Sequence, residues 1–502
     1  MKRHALLLVL AVLAAACGGG QDRGTIQQPL ADKVLRGLCG TIAAAHHRTH
    51  VVARAEGRIG ARDDDATRRR FPDRSLEFVV ALEAEGVAHL GAVDRHDVDV
   101  TDVFHTDVQL GHRRLPGRHH LRARPSRTVG NVTTLIATGI AALLRCVHDE
   151  LDRGNISAAQ LAIGLEGDVI ELHPFGTATE ESRFAIFSAT KAVTAMALLP
   201  HLADGSLDLT RPVAHYIPEF GRNGKGDVMV LQLLTMQGGF PQRIMDIHRW
   251  DTSEGRRDVF AEWTLEWPAG TRTQYHPSTA HWVIAELLET LNGRSYIDVV
   301  HERVVAPMGV GPLLGPDAAT MPPVTVRVVG ERPADVDGLV EVYGRPDLVP
   351  DVSVGPEALL RMNDPRIQCA AIPGGGGIAT AADMVRVYQG FLPGRNPQLP
   401  AAWVADAVGT IRNASVSTSD GVPSNRTIAG YVSGSDGYHR HRWMPDAPRA
   451  FGHPGAGGQL CWVDPDSGLS FSFLHDSLHQ DPRTEFHRAD ALHHALLAAV
   501  RT

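Results

Sequence analysis

The stretch FSATKAVTAM, Phe187 to Met196, sets a serine and a lysine three residues apart. It leads into ATKAVTAMALLPHLADGSLDL, whose small and apolar residues read as a helix with Ser188 near its start. Residues three apart share a helix face, so Lys191 would sit one turn from the Ser188 hydroxyl. The start of a helix also leaves backbone N–H groups free at a positive dipole end, a setting that can hold an oxyanion. A serine hydroxyl is a weak nucleophile until a base takes its proton, and a neutral lysine is such a base. The spacing alone fits equally well a serine beside a solvated surface lysine.

Composition sharpens the choice. Lysine and arginine total 49, yet the lysines are only four: Lys2, Lys33, Lys191 and Lys225. Arginine stays protonated and is a poor base, whereas a desolvated lysine can lose its proton. In so lysine-poor a chain a chance Ser-x-x-Lys is uncommon. The 502 residues exceed one ordinary domain, and 43% hydrophobic with 21% charged residues fits a soluble globular protein. A formal net charge of -8 offers no basic field for nucleic acid. Five cysteines in this length are no disulfide framework.

The N-terminus, MKRHALLLVLAVLAAACGGG, has a basic start, an apolar run from Ala5 to Ala16, and then Cys17. That run is too short to span a membrane and reads as an export signal over residues 1–17. The small residues before Cys17 resemble a bacterial lipoprotein signal, although Ala14 stands where leucine is usual. The resemblance implies lipidation at Cys17 and a periplasmic or cell-envelope protein held to the membrane by that anchor. Plain cleavage in the Ala-x-Ala stretch, giving a secreted soluble product, is the competing expectation. Residues 18–132 fit no ordinary domain pattern. Between about 40 and 130 they are dense in His, Arg and Asp, with one His-x-x-x-His pair, His46 and His50, and no Cys-x-x-Cys spacing. A solvated, low-order segment is expected there rather than a metal site. A misread frame of a GC-rich gene is a further reading, which tryptic peptides from the native protein would refute.

Ordinary patterning begins near Thr133 and defines a domain over 133–502. TTLIATGIAALLRCVHDELDRG reads as an amphipathic helix ended by Gly154. AQLAIGLEGDVIELH reads as a hairpin turning at Glu166-Gly167-Asp168, and GQLCWVDPDSGLSFSFLH as a second around Asp464 to Gly468. EFHRADALHHALLAAV closes the chain as a helix. Hairpins at both ends of a long helical middle predict one antiparallel sheet built from both ends of the domain.

Five segments along the rest of the chain carry the reading further. They are Ser188-Ala-Thr-Lys191; VMVLQLLTMQGGFP; WPAGTRTQYHPSTAHWVIAELLETLNGRSY; IPGGGGIATAADMVRVYQ; and FGHPGAGGQLCWVDPDSG. The region from about 145 to 500 resembles the β-lactamase-related serine hydrolases. These include class C β-lactamases, D-alanyl-D-alanine carboxypeptidases and β-lactamase-like esterases. The implied fold is α+β, an α/β sandwich of β-lactamase/transpeptidase type, with helices flanking the sheet and a mostly helical subdomain.

The resemblance implies Ser188 as nucleophile, with Lys191 and Tyr275 moving its proton. It implies an oxyanion hole from the backbone N–H groups of Ser188 and Ala456. His453 and Gly455, where relatives carry Lys-Thr-Gly or His-x-Gly, would line the substrate, as would His276. Pro277 stands where the family has the asparagine of Tyr-x-Asn; proline has no side-chain hydrogen-bonding group, so an asparagine contact to a substrate amide is lost. That tilts the expectation towards ester hydrolysis over efficient β-lactam turnover. A penicillin-binding carboxypeptidase, an acyltransferase and a catalytically silent binding protein are the alternatives. The run Gly374 to Gly377 lets backbone pass close to a neighbouring element, and no Gly-Lys-Ser/Thr follows it to make a nucleotide loop. The family's chemistry needs no metal or organic cofactor. The expected partner is a small-molecule ester, amide or peptidoglycan-like substrate.

Overall fold

The computed structural model describes residues 134–501 apart from 319–321, 331–334, 344–354 and 436–446, together with four short strands nearer the N-terminus. The chain divides into two compact units, Met1–Arg124 and Pro125–Thr502. In the first, Ala53–Glu56, Phe78–Ala84, Val87–His89 and Ala92–Val93 pair antiparallel. Three of these strands fall in the one apolar stretch of that region, LEFVVALEAEGVAHLGAV. The export signal, Cys17 and most of the His-rich segment lie outside the described residues.

The second unit opens with α1, Ala137–Asp152, after which Gly154 takes a left-handed φ of 72°. Strands β1, Ala158–Leu165, and β2, Asp168–Gly176, form the first hairpin. A short helix α2, Thr190–Met196, follows Ser188, and α3, Thr279–Asn292, follows Tyr275. Helix α4 is Ala381–Gln389. Strands β3, Tyr431–Val432, β4, Phe451–Gly452, β5, Leu460–Val463, and β6, Leu469–His475, precede the closing helix α5, Pro482–Ala499. The sheet order is β3-β4-β5-β6-β1-β2, antiparallel throughout, so β6 from the C-terminal end pairs with β1 from the N-terminal end. Leu469 faces Leu165 and His475 faces Ala159.

Strand side chains alternate between faces, and here both faces are covered. Ala159, Leu161 and Ile163 of β1 join Leu469, Phe471 and Phe473 of β6 in a core beneath α1 and α5. Ala158 and Ala162 point the other way, into the larger core that holds Ala192, Val193 and Met196 of α2. The sheet is therefore the wall against which the nucleophile helix packs. Helices α1 and α5 approach so closely that a Cβ on Gly139 would stand 2.3 Å from the Ala499 Cα.

One expected element is broken. The helix read over ATKAVTAMALLPHLADGSLDL, residues 189–209, is instead a 3-10 turn, Phe187–Ala189, then α2, then a separate helix Leu199–Asp204 that stops short of its expected end. Pro200 lies in the first turn of that last helix, and without an N–H it cannot extend the helix before it.

Candidate active site

Ser188 is the middle residue of the 3-10 turn that enters α2. The residue before it, Phe187, has a φ of 44°, a strained conformation for a bulky side chain, of the kind that collects at functional sites. Ser188 is half-buried while its neighbours Phe187 and Ala189 are buried.

Lys191 is 1% exposed. Its Nζ lies 3.1 Å from Ser188 Oγ, 2.6 Å from the carbonyl oxygen of Pro277 and 2.6 Å from that of Gly374. The Gly374 approach needs glycine, because a Cβ there would come within 3.0 Å of His281 Cβ and 3.2 Å of the lysine nitrogen. The glycine loop is tied to α2 at two further points. Thr194 Oγ1 donates to the Pro373 carbonyl at 2.8 Å, and the Gly377 N–H donates to Thr190 Oγ1 at 3.0 Å. The Tyr275 hydroxyl donates to Ser188 Oγ at 2.8 Å. Sequence reading thus named three side chains that meet within hydrogen-bond reach. It missed the two carbonyls and the two threonines, which carry no motif of their own.

The electrostatics favour an uncharged amine. Burial pushes the Lys191 amine well below the ordinary lysine value, and the positive charge of Arg426 adds to the effect. Carbonyl oxygens can only accept. A charged amine donates to all three neighbours; a neutral one keeps its two N–H groups on Pro277 and Gly374 and turns its lone pair to the Ser188 hydroxyl. Burial raises the Tyr275 hydroxyl above its ordinary value, Tyr431 raises it further, and the Ser188 hydrogen bond and Arg426 act in the opposite direction. Tyr275 is therefore a neutral donor at rest.

The expected substrate-lining residues divide. His453 follows β4, with its ring centre 6.0 Å from that of Tyr275 and its N–H donating to the Tyr388 hydroxyl at 3.2 Å. Gly455 lies against the nucleophile turn, since a Cβ there would stand 2.3 Å from the Ile186 carbonyl oxygen. Ala456, next along, packs with Phe187 in a small cluster of its own. His276 is not at the site. Its ring is fully buried, Nε2 accepts from the Phe240 N–H at 3.2 Å, and Nδ1 lies 2.7 Å from the Gln274 carbonyl. Both ring nitrogens are spent inside the protein, and burial holds the ring neutral with a pKa of about 3. The sequence placed His276 beside Tyr275, but it could not tell which of two successive side chains turns inward.

The beta-lactamase family model matches residues 143–496, well over half of the chain, and the chain belongs to that family. It is an enzyme of the serine hydrolase class. The esterase/beta-lactamase LipL of Mycobacterium tuberculosis is 27% identical over 310 residues, covering 58% of this chain and 69% of that protein. The structure of EstA from Arthrobacter nitroguajacolicus Rue61a matches with a TM-score of 0.59 at 22% identity, over 73% of this chain and 99% of that one. A penicillin-binding protein homolog from Caulobacter crescentus matches with a TM-score of 0.57 at 21% identity, again over 73% and 99%. At these identities the solved structures establish the fold, which is of β-lactamase/transpeptidase type.

Proposed function

We propose that the protein hydrolyses a small-molecule ester through an acyl-enzyme on Ser188. The observation that carries this is the meeting of Lys191 Nζ and the Tyr275 hydroxyl on one serine oxygen, at 3.1 and 2.8 Å. The Ser188 oxygen attacks the substrate carbonyl carbon while its proton passes to the lone pair of Lys191. The oxyanion is held by the backbone N–H groups of Ser188 and Ala456, on two segments that touch at Gly455 and Ile186. The leaving alkoxide takes the proton from Lys191 by way of Tyr275, and the alcohol departs. Water then attacks the acyl-enzyme with the same groups accepting its proton, and the acid and free serine are regenerated. His453, beside Tyr275, lines the substrate on the leaving-group side.

Esters are preferred over lactams because Pro277 has no side-chain amide to hold a substrate amide, and its carbonyl is already engaged by Lys191. The name esterase/beta-lactamase of its Mycobacterium tuberculosis relative supports an esterase reading and does not separate it from lactam turnover. Intact-mass analysis after a short-chain p-nitrophenyl ester, and separately after a penicillin, tests it. An acyl adduct on Ser188, absent in Ser188→Ala, with faster turnover of the ester, is expected. Faster acylation by penicillin would place the protein with the carboxypeptidases. No adduct from either reagent in folded protein would overturn the reading.

We further propose export with a lipid anchor at Cys17. Metabolic labelling with a fatty-acid analogue should mark the wild type and not Cys17→Ala; an unlabelled wild type in the soluble fraction would refute the anchor.

A further inference from the structure

Arg426 belongs to none of the motifs that point to the site. It is 3% exposed, and its guanidinium carbon stands 3.9 Å from the centre of the Tyr431 ring and 5.3 Å from that of Tyr275. Nη2 donates to the Tyr431 hydroxyl. Among the described residues Arg426 forms no ion pair; the carboxylate of this neighbourhood, Asp420, acts on Tyr431. Its backbone is fixed on the segment that positions Tyr275. The Arg426 N–H donates to the Asn413 carbonyl at 2.9 Å, and the Asn413 amide donates in turn to Thr273 Oγ1, also at 2.9 Å, two residues before the tyrosine.

A buried guanidinium costs several kcal/mol to desolvate, and arginine cannot relieve the cost by losing its proton. The rings of Tyr275 and Tyr431 recover part of it, since each presents a negative face to the cation. The fold thus keeps a permanent positive charge against the tyrosine that touches the nucleophile.

We propose that Arg426 is a positioning residue for acyl transfer: its guanidinium holds the Tyr275 ring against Ser188, and its fixed charge keeps the Lys191 amine free to accept the serine proton. This rests on the acyl-enzyme reading above. The sign follows from Coulomb's law, because a second cation nearby disfavours a proton on the amine and eases negative charge on the tyrosine oxygen. The other groups around Lys191 do not supply that charge. Tyr275 faces it with its ring, 5.1 Å from Nζ. His281 of α3 reaches the Lys191 carbonyl at 3.3 Å and is held neutral by burial. His276 is buried and neutral. The glycine loop offers only the Gly374 carbonyl. His453 reaches the neighbourhood beside Tyr275, their ring centres 6.0 Å apart.

The test is the pH profile of kcat/KM for a p-nitrophenyl ester, with acylation of Ser188 followed by mass. In Arg426→Met, which keeps bulk and removes charge, the acid limb should move up by about one to two pH units. That is the size expected for a unit charge within about 10 Å at an effective dielectric of about 20, since Arg426 Cζ and Lys191 Nζ lie 5.3 and 5.1 Å from the Tyr275 ring centre. Activity near neutrality should fall by about tenfold or more and recover at higher pH. In Arg426→Lys, which keeps charge and loses the planar stack, the limb should stay while the high-pH plateau drops. A folded Arg426→Met whose limb coincides with that of the wild type overturns the proposal. Should that variant not fold, Arg426→Lys decides alone: a lowered plateau supports the positioning role, and a wild-type profile overturns it. A wild type that takes no acyl group on Ser188 defeats the acyl-enzyme reading itself, and is distinguished from both results.

Discussion

The carbonyl oxygen of Pro277 stands 2.6 Å from Nζ of Lys191, with the Gly374 carbonyl at the same distance. A residue that looks like the loss of a polar side chain therefore still contributes, through its backbone, to aiming the lysine at Ser188. Because the contact is backbone, Pro277→Ala should retain it and keep ester kcat/KM within about tenfold of wild type. Lys191→Met, which removes the base, should lower it by about 10²- to 10⁴-fold. Steady-state kinetics of the two variants side by side checks this, and equal losses in both would contradict it.

Tyr275→Phe removes the hydroxyl that donates to Ser188 Oγ but leaves the ring against Lys191 and Arg426. Folding should be preserved, because the ring makes the packing contacts. The rate of Ser188 acylation should fall by about 10²-fold or more, as for loss of a positioned proton carrier. Stopped-flow release of p-nitrophenol measures that step directly.

Gly455→Ala would drive a Cβ to within 2.3 Å of the Ile186 carbonyl oxygen and 2.8 Å of Gln459 Cβ. Neither backbone nor strand can yield cheaply, so stability should fall by about 1–3 kcal/mol. The turn carrying Ala456, between β4 and β5, would also move off the nucleophile turn, and kcat should fall with it. Gly409→Ala, where a Cβ meets nothing within 4 Å, is the control and should leave both unchanged. Thermal unfolding together with kcat reads the two effects.

Stability should decline as the solution is acidified below the ordinary histidine value. Burial lowers His276 to about 3 and His479 to about 4, and also lowers His281 and His475. These groups stay neutral in the folded state at pH values where the unfolded chain has already bound their protons. The unfolded state then holds more protons, so unfolding becomes easier as pH falls from about 6.5 towards those folded values. The melting temperature should be lower at about pH 5 than at about pH 7 by an amount insensitive to salt, because the groups are buried.

Most of what places the site was legible in the sequence. The hairpin turns at Glu166-Gly167-Asp168 and Asp464–Gly468, the stop at Gly154, and the pairing of Ser188 with Lys191 one helical turn apart all depend on neighbours in the chain. Period-2 and helical patterns, turn residues and glycine stops are local, and the order of the motifs added Tyr275 and His453. The tertiary structure alone decided the charge of Lys191 and the fate of His276. The amine is pushed towards its neutral form by desolvation and by the guanidinium of Arg426, and it is aimed by carbonyls 86 and 183 residues further along the chain. His276 follows Tyr275 directly, yet one ring faces the serine and the other is enclosed by Phe240 and Gln274. Burial belongs to the surfaces that close around a group, and those come from segments with no sequence relation to it.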